Sequence, residues 1–190
     1  MVAEADLRDD LVPPSAPVRV GPMRRRHLRG VLRIEELVNP RPWSLSLFLS
    51  ELRYTSSRAY LVARVGTEIA GYAGLMLVAG DGHITNVGVD PAHRRQGIAT
   101  RLLLELTRRA LEEGAEALTL EVRVTNTGAQ ELYRRFGFVP AGVRKGYYPA
   151  PGANEDALIM WATDIDTPAY RARLLDIERA LPTPTLLEAT

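Results

Sequence analysis

The residues with the clearest chemical potential lie between Asn86 and Leu104: Asn-Val-Gly-Val-Asp-Pro-Ala-His-Arg-Arg-Gln-Gly-Ile-Ala-Thr-Arg-Leu-Leu-Leu. Asp90-Pro91 ends a strand, because proline offers no donor to a sheet ladder. Gly97 lets the backbone approach a neighbour closely, and Ala99 adds almost no side chain. From Ile98 onward Ala99, Leu102, Leu103, Leu106 and Ala110 recur on one helical face, with Arg101, Glu105, Arg108, Arg109 and Glu112 expected largely off it. Gly114 supplies the stop. A loop entering a helix in this way aims several N–H groups and the positive end of the helix dipole at one point, an anion site suited to phosphate. The same residues also read as an ordinary strand-to-helix turn.

Other chemistries find little support. The chain has no cysteine, which removes thiol nucleophiles, disulfides and cysteine metal sites. Its three histidines, His27, His83 and His93, are scattered and suggest no metal-ligand spacing, so no metal is expected. The formal net charge of +1 gives no general reason to expect nucleic acid or an anionic membrane as partner. The triple Arg24-Arg25-Arg26 is the one basic cluster and reads as a solvated helix face. No apolar run approaches the ~20 residues needed to cross a bilayer. Met-Val-Ala-Glu-Ala-Asp at the start lacks the apolar run of a signal peptide, so a cytoplasmic location is expected.

The elements that must position the loop can be taken in order. A length of 190 residues suits one domain with a sizeable core. Residues 1–17 carry acids and Pro13-Pro14 and Pro17 without period and read as a flexible extension. Val18–Val20 forms a short strand, ended by Gly21-Pro22. A helix opens at Arg24 with Leu28, Val31, Leu32 and Leu37 able to face a core, and Ser44 is placed to cap a second helix over Leu45–Leu52. Arg58–Val65 and Glu68–Val78 flank Gly66-Thr67 as a hairpin, and Ala79–Gly82 turns into the strand His83–Val89. After the central helix come a strand at Ala117–Val124, a short helix from Asn126 to Gly137, and strands at Phe138–Tyr148 and Ala157–Thr163. Tyr170, Leu174, Ile177 and Leu181 mark an amphipathic helix in an extension spanning 166–190, followed by a frayed proline-containing tail.

The loop Arg94-x-x-Gly97-x-Ala99, after Val-Asp-Pro and before a Leu-rich helix, resembles the pyrophosphate-binding motif of the GNAT superfamily of N-acetyltransferases. The order β-α-α-β-β-β-α-β-α-β-β is also the GNAT order, and the resemblance spans residues 18–165. It implies an α/β fold whose mixed, mostly antiparallel central sheet is flanked by helices. Leu120-Glu121-Val-Arg-Val-Thr-Asn126, Glu131-Leu-Tyr133 through Phe138, Val143 through Pro149, and Glu155-Asp-Ala-Leu-Ile-Met160 together resemble the RimI branch. Members of that branch acetylate the N-terminal alanine of a small-subunit ribosomal protein.

The resemblance implies an acetyl-CoA-dependent N-α-acetyltransferase. Glu121 is then the general base, although an acid in Leu-Thr-Leu-Glu-Val equally fits a solvent-facing strand position. Tyr133 is the matching acid for the departing thiolate, and alternatively a half-buried packing aromatic. Val87, Gly88 and Val89 would lie along the pantetheine arm, with the Val89 N–H on the thioester carbonyl. Arg95, Gln96, Gly97, Ile98, Ala99 and Thr100 would cradle the pyrophosphate. Ala99 stands where many members have Gly, and Thr100 where Gly, Arg or Ser is common. Asn126 matches an amide contact to the cofactor and equally a helix N-cap. Trp43 and Tyr147-Tyr148 match stretches beside the acceptor groove and could instead be core plugs. The expected partner is a protein N-terminus, without direct nucleic-acid or membrane contact, and the oligomeric state is left open. A lysine or small-molecule N-acetyltransferase and a non-catalytic acetyl-CoA sensor are the competing readings.

Overall fold

A computed structural model describes residues 11–149 and 152–188. The expected extension therefore lies outside the described residues for positions 1–10. Eight strands form one sheet in the order β6-β7-β5-β4-β3-β2-β1-β8. In chain order these are β1 (Val18–Pro22), β2 (Arg58–Val65), β3 (Glu68–Val78), β4 (Asp81–Val89), β5 (Ala117–Arg123), β6 (Val139–Tyr148), β7 (Glu155–Ala162) and β8 (Thr185–Leu187). Among the described residues only β4/β5 and β1/β8 pair in parallel. This is a mixed α/β architecture with a mostly antiparallel sheet flanked by helices, and the expected element order is present with α5 and β8 added after it.

The helices α1 (Leu28–Val38) and α2 (Leu45–Glu51) cover one face of the sheet. Leu28, Val31, Ile34 and Phe48 bury there against Tyr60, Val62 and Tyr72. Ser44 caps α2 by accepting from the Leu47 N–H at 3.2 Å, which satisfies one of the first-turn donors. One expectation for α1 is corrected: Leu37 is 57% exposed, whereas Glu35 is 1% exposed. The buried stripe runs 28, 31, 34, 35, and the Glu35 carboxylate is accepted inside because it takes hydrogen bonds from Tyr72, Asn39 and the Trp43 N–H.

The opposite face carries α3 (Ile98–Glu112), α4 (Thr127–Arg135) and α5 (Pro168–Arg179). The apolar row Ile98, Leu102, Leu103, Leu106 and Ala110 is buried against the sheet, as its spacing requires. α5 docks through Tyr170, Leu174 and Ile177, and the Tyr170 hydroxyl donates to the Phe136 carbonyl at 2.7 Å.

Two further corrections come from the C-terminal stretch. The tail expected to fray contains β8, in register with β1 at Val18↔Thr185, Arg19↔Leu186 and Val20↔Leu187. That same stretch buries Arg101, which had been expected off the packed face and is 0% exposed. Its guanidinium donates to the hydroxyls of Thr185 at 2.7 Å and Thr183 at 3.0 Å. The two threonines replace the water that an arginine near the start of α3 would otherwise require.

Candidate active site

The site begins where β4 and β5 part. They pair at Asp81↔Ala117, Gly82↔Leu118 and His83↔Thr119. Beyond that point β4 stays on β3, through Gly74↔Asn86 to Gly71↔Val89, while β5 follows β7. A register shift between Gly74 and Leu75 leaves Thr85 as an extra residue on β4, and such bulges add local twist that helps two strands diverge. The Asp90 N–H donates to Ala70 on β3 at 2.9 Å. Successive N–H groups in a strand point to opposite sides. The Val89 and Val87 N–H groups therefore face away from β3 and into the gap.

That gap opens into a cleft of about 280 Å³. Its walls include Val87, Glu121, Asn126 and Tyr133 together with Trp43, Tyr147 and Tyr148. Four of the residues singled out in the sequence, from β4, β5, the N-cap of α4 and its last turn, thus share one concavity with all three candidate acceptor-side aromatics. Gly88, Val89 and the 95–100 loop are not among the cleft walls.

Glu121 sits in the cleft with its side chain 16% exposed, rather than in the solvated position its strand alternation also allowed. One carboxylate oxygen lies 2.7 Å from His83 Nε2, and the other 3.4 Å from an Arg144 guanidinium that is 56% exposed. The sequence reading missed His83. The relevant signal is register: Glu121 is two residues beyond Thr119, the partner of His83, and so shares its face of the sheet. Tyr133 is almost completely buried, and burial pushes its hydroxyl well above the usual tyrosine range. It therefore keeps its proton at any working pH.

The strand β5 is held by the residues that follow it. Gln130 donates from its amide to the carbonyls of Arg123 (3.2 Å) and Val124 (3.0 Å), tying α4 back to the end of β5. Glu155 accepts from Arg123 at 2.8 Å and from the Thr125 backbone at 3.1 Å. These contacts hold its carboxyl below the ordinary range, the Thr125 hydroxyl contributing most. Asp156 takes Lys145 Nζ at 2.7 Å and the Gly146 N–H at 2.9 Å, closing the β6–β7 hairpin. The Glu-Asp-Ala motif is thus a framework for the cleft wall that carries Tyr147 and Tyr148. On that wall the Tyr148 hydroxyl donates to the Glu121 carbonyl at 2.9 Å, and burial with the nearby Tyr147 and Glu121 charges pushes it up to about 12. Arg123 and Arg144 lie over the Tyr148 and Tyr147 rings, 4.2 and 4.3 Å from the centroids.

Asn126 is the N-cap of α4, accepting from the Ala129 N–H at 3.1 Å, which leaves its amide NH₂ beside the cleft. Trp43 serves both as packing and as wall: its ring lies 5.3 Å from Phe48, and its backbone N–H donates to the Glu35 carboxylate at 2.9 Å. Burial raises the Glu35 carboxyl, with the Trp43 and Asn39 hydrogen bonds opposing that rise.

The loop before α3 has the backbone expected of an anion cradle. Arg95 and Gly97 take positive φ values of 65° and 71°. The first helical bond runs from the Arg101 N–H to the Gly97 carbonyl at 3.0 Å, so Ile98, Ala99 and Thr100 present N–H groups with no acceptor inside the helix. No side chain of Gly97 can cap them, which fits a ligand anion as their partner. The space that a Cβ on Gly97 would enter is taken by Leu181, 2.8 Å away, with Leu11 at 3.7 Å. Gly88 has a comparable constraint, a Cβ there falling 2.4 Å from the Tyr72 ring.

A first stability prediction arises here. Gly97→Ala should destabilise the protein by about 2–5 kcal/mol, combining a positive-φ penalty of ~1–2 kcal/mol with overpacking of ~1–3 kcal/mol. Adding Leu181→Ala should recover the packing part and leave the backbone part. Urea denaturation of the three proteins tests this, and equal stability of both variants would show that Leu181 is not what fills the space.

The parting of β4 and β5, the helix N-terminus that follows β4 and a cleft that holds both Glu121 and Tyr133 make up the candidate site. The acetyltransferase (GNAT) family profile matches residues 28–138, and the chain belongs to that family of acyltransferases. Its relatives are specific. It is 34% identical over 135 residues to the ribosomal protein bS18-alanine N-acetyltransferase of Escherichia coli (strain K12), covering 70% of this chain and 88% of that protein. A Bacillus subtilis (strain 168) protein provisionally named for the same activity is 40% identical over 141 residues, covering 74% of this chain and 92% of its own length. The crystal structure of the Escherichia coli ribosomal-protein-S18-alanine N-acetyltransferase superposes with a TM-score of 0.71 at 29% identity, over 77% of this chain and 94% of that one.

Proposed function

We propose that this protein transfers the acetyl group of acetyl-CoA to the α-amino group of a protein N-terminus, an alanine of the small-subunit ribosomal protein bS18. The observation that carries this reading is the single cleft that sets Glu121 and Tyr133 beside the unpaired edge of β4. The names and similarity of the bacterial relatives support the acceptor.

Bound acetyl-CoA would supply an activated thioester, with the Ile98–Thr100 N–H groups and the Arg95–Gly97 loop holding its pyrophosphate and Val87–Val89 its arm. Glu121 takes the proton of the acceptor amine, directly or through a water, so that a neutral nitrogen lone pair reaches the carbonyl carbon. The Val89 N–H, aimed into the gap, stabilises the oxygen as it becomes negative. Tyr133 donates its hydroxyl proton toward the sulfur as the C–S bond breaks. An α-amine, with an ordinary pKa of ~7.7–8.0 against ~10.4 for lysine, asks little of a single carboxylate.

The test uses a peptide with the bS18 N-terminal sequence, beginning with alanine and carrying internal lysines, with acetyl-CoA as donor. Thiol release should match one acetyl group per peptide, located by mass spectrometry on the alanine nitrogen. A peptide with a blocked N-terminus should be inert. Acetylation mainly on lysine would reject this function in favour of a side-chain acetyltransferase, and binding without thiol release would favour a sensor.

A further inference from the structure

Resting on Glu121 as the base, we propose that His83 is a positioning residue that aims the Glu121 carboxylate and makes proton removal depend on the charge of its own imidazole. His83 Nε2 and a Glu121 carboxylate oxygen are 2.7 Å apart, at the last paired step before β4 and β5 part. The imidazole is anchored on the strand that carries the Val89 N–H, and the carboxylate on the strand that leads to Tyr133. The contact therefore fixes the base relative to the oxyanion donor across the very gap where the reaction would occur.

Met76 on β3 and Thr119 on β5 are the sheet neighbours of His83, and both are neutral. Arg144 on β6 approaches the other Glu121 oxygen at 3.4 Å, but it is 56% exposed, so solvent screens it. The Tyr148 hydroxyl is spent on the Glu121 carbonyl, and Arg123, over the Tyr148 ring, is paired with Glu155. Tyr133 lines the same cleft and stays protonated. His83 is thus the partly buried titratable partner of the base, at 28% side-chain exposure.

The consequence for chemistry follows from charge. A neutral imidazole donates one N–H, which orients the carboxylate and leaves its second oxygen to accept the amine proton. An imidazolium makes a charge-assisted pair that stabilises the carboxylate as an anion and so makes it a poorer proton acceptor. Histidine is the side chain that ordinarily changes charge between about pH 5 and 8. Removing the imidazole should therefore change how the rate falls on the acid side.

Two substitutions separate aim from charge. His83→Ala removes the donor, and kcat should drop about ten-fold, a fraction of what a positioned base contributes. The KM for acetyl-CoA should stay unchanged. His83→Gln keeps a neutral N–H donor of similar reach; it should recover most of kcat at pH 8, and its acid limb should extend to lower pH. In a Glu121→Gln background His83→Ala should add nothing further. Thermal unfolding checks that each variant is folded. If His83→Ala and Glu121→Gln multiply independently, or the Gln variant keeps the wild-type acid limb, this inference is overturned while Glu121 remains the base. If Glu121→Gln turns over at the wild-type rate, the base assignment falls and His83 falls with it.

Discussion

A Glu121→Gln enzyme should bind acetyl-CoA with unchanged affinity and lose about 10²- to 10⁴-fold in turnover near neutral pH, the usual range for a positioned general base. Glutamine is nearly isosteric and can still meet His83 and Arg144, so the cleft should persist while the proton acceptor is gone. The loss should be greatest below the ~7.7–8.0 range where an α-amine becomes charged. Above it a growing fraction of the acceptor arrives neutral, and the variant should regain part of its rate. Kinetics of thiol release from pH 6 to 9 measure this directly. A constant ratio of wild type to variant across that range would mean that Glu121 holds the acceptor rather than deprotonating it.

Much of this site is legible in the chain because it depends on local rules. Asp90-Pro91 and Gly97 mark the strand end and helix start, and α3 begins at Ile98 with Gly97 at φ 71°. Gly66-Thr67 gives the hairpin, and the period from Ile98 to Ala110 gives the buried face of α3. Ser44 and Asn126 sit where short polar side chains satisfy the first N–H groups of a helix, and both do so.

What escapes the sequence is what only distant pairing creates. β8 is three residues long and adds in parallel to β1, more than 160 positions earlier; no period reveals so short a strand. Its arrival covers the side of α3 where Arg101 projects, so an arginine that reads as surface becomes a buried anchor for Thr183 and Thr185. Leu181 reaches Gly97 for the same reason: the C-terminal stretch returns across the α3 entrance. Glu35 illustrates a different limit. Its place on the α1 stripe reads as an interruption until Tyr72, Asn39 and the Trp43 N–H are brought to it from a strand and a loop. His83 needed one more fact, the register of β4 on β5, before its partner 38 residues on could be recognised.

Tyr133→Phe should behave differently from Glu121→Gln, and the difference identifies the acid. The substitution keeps the ring, which packs 5.9 Å from Phe138, and deletes only the hydroxyl. Acetyl-CoA binding and the fold should persist, while turnover falls by about 10²-fold for loss of a positioned acid. Burial holds the tyrosine pKa far above neutrality, so its donor is present throughout the working range. The ratio of wild-type to variant rates should therefore stay flat with pH, where the Glu121→Gln ratio slopes. An ordinary thiol titrates near ~8.5, so a thiolate leaves with less help when its parent thiol is more acidic. An acetyl thioester of such a thiol, kept on the pantetheine framework, should restore the Tyr133→Phe rate toward wild type. Equal losses with both donors would reduce Tyr133 to a packing residue, and a solvent proton would then have to reach the sulfur through the open side of the cleft.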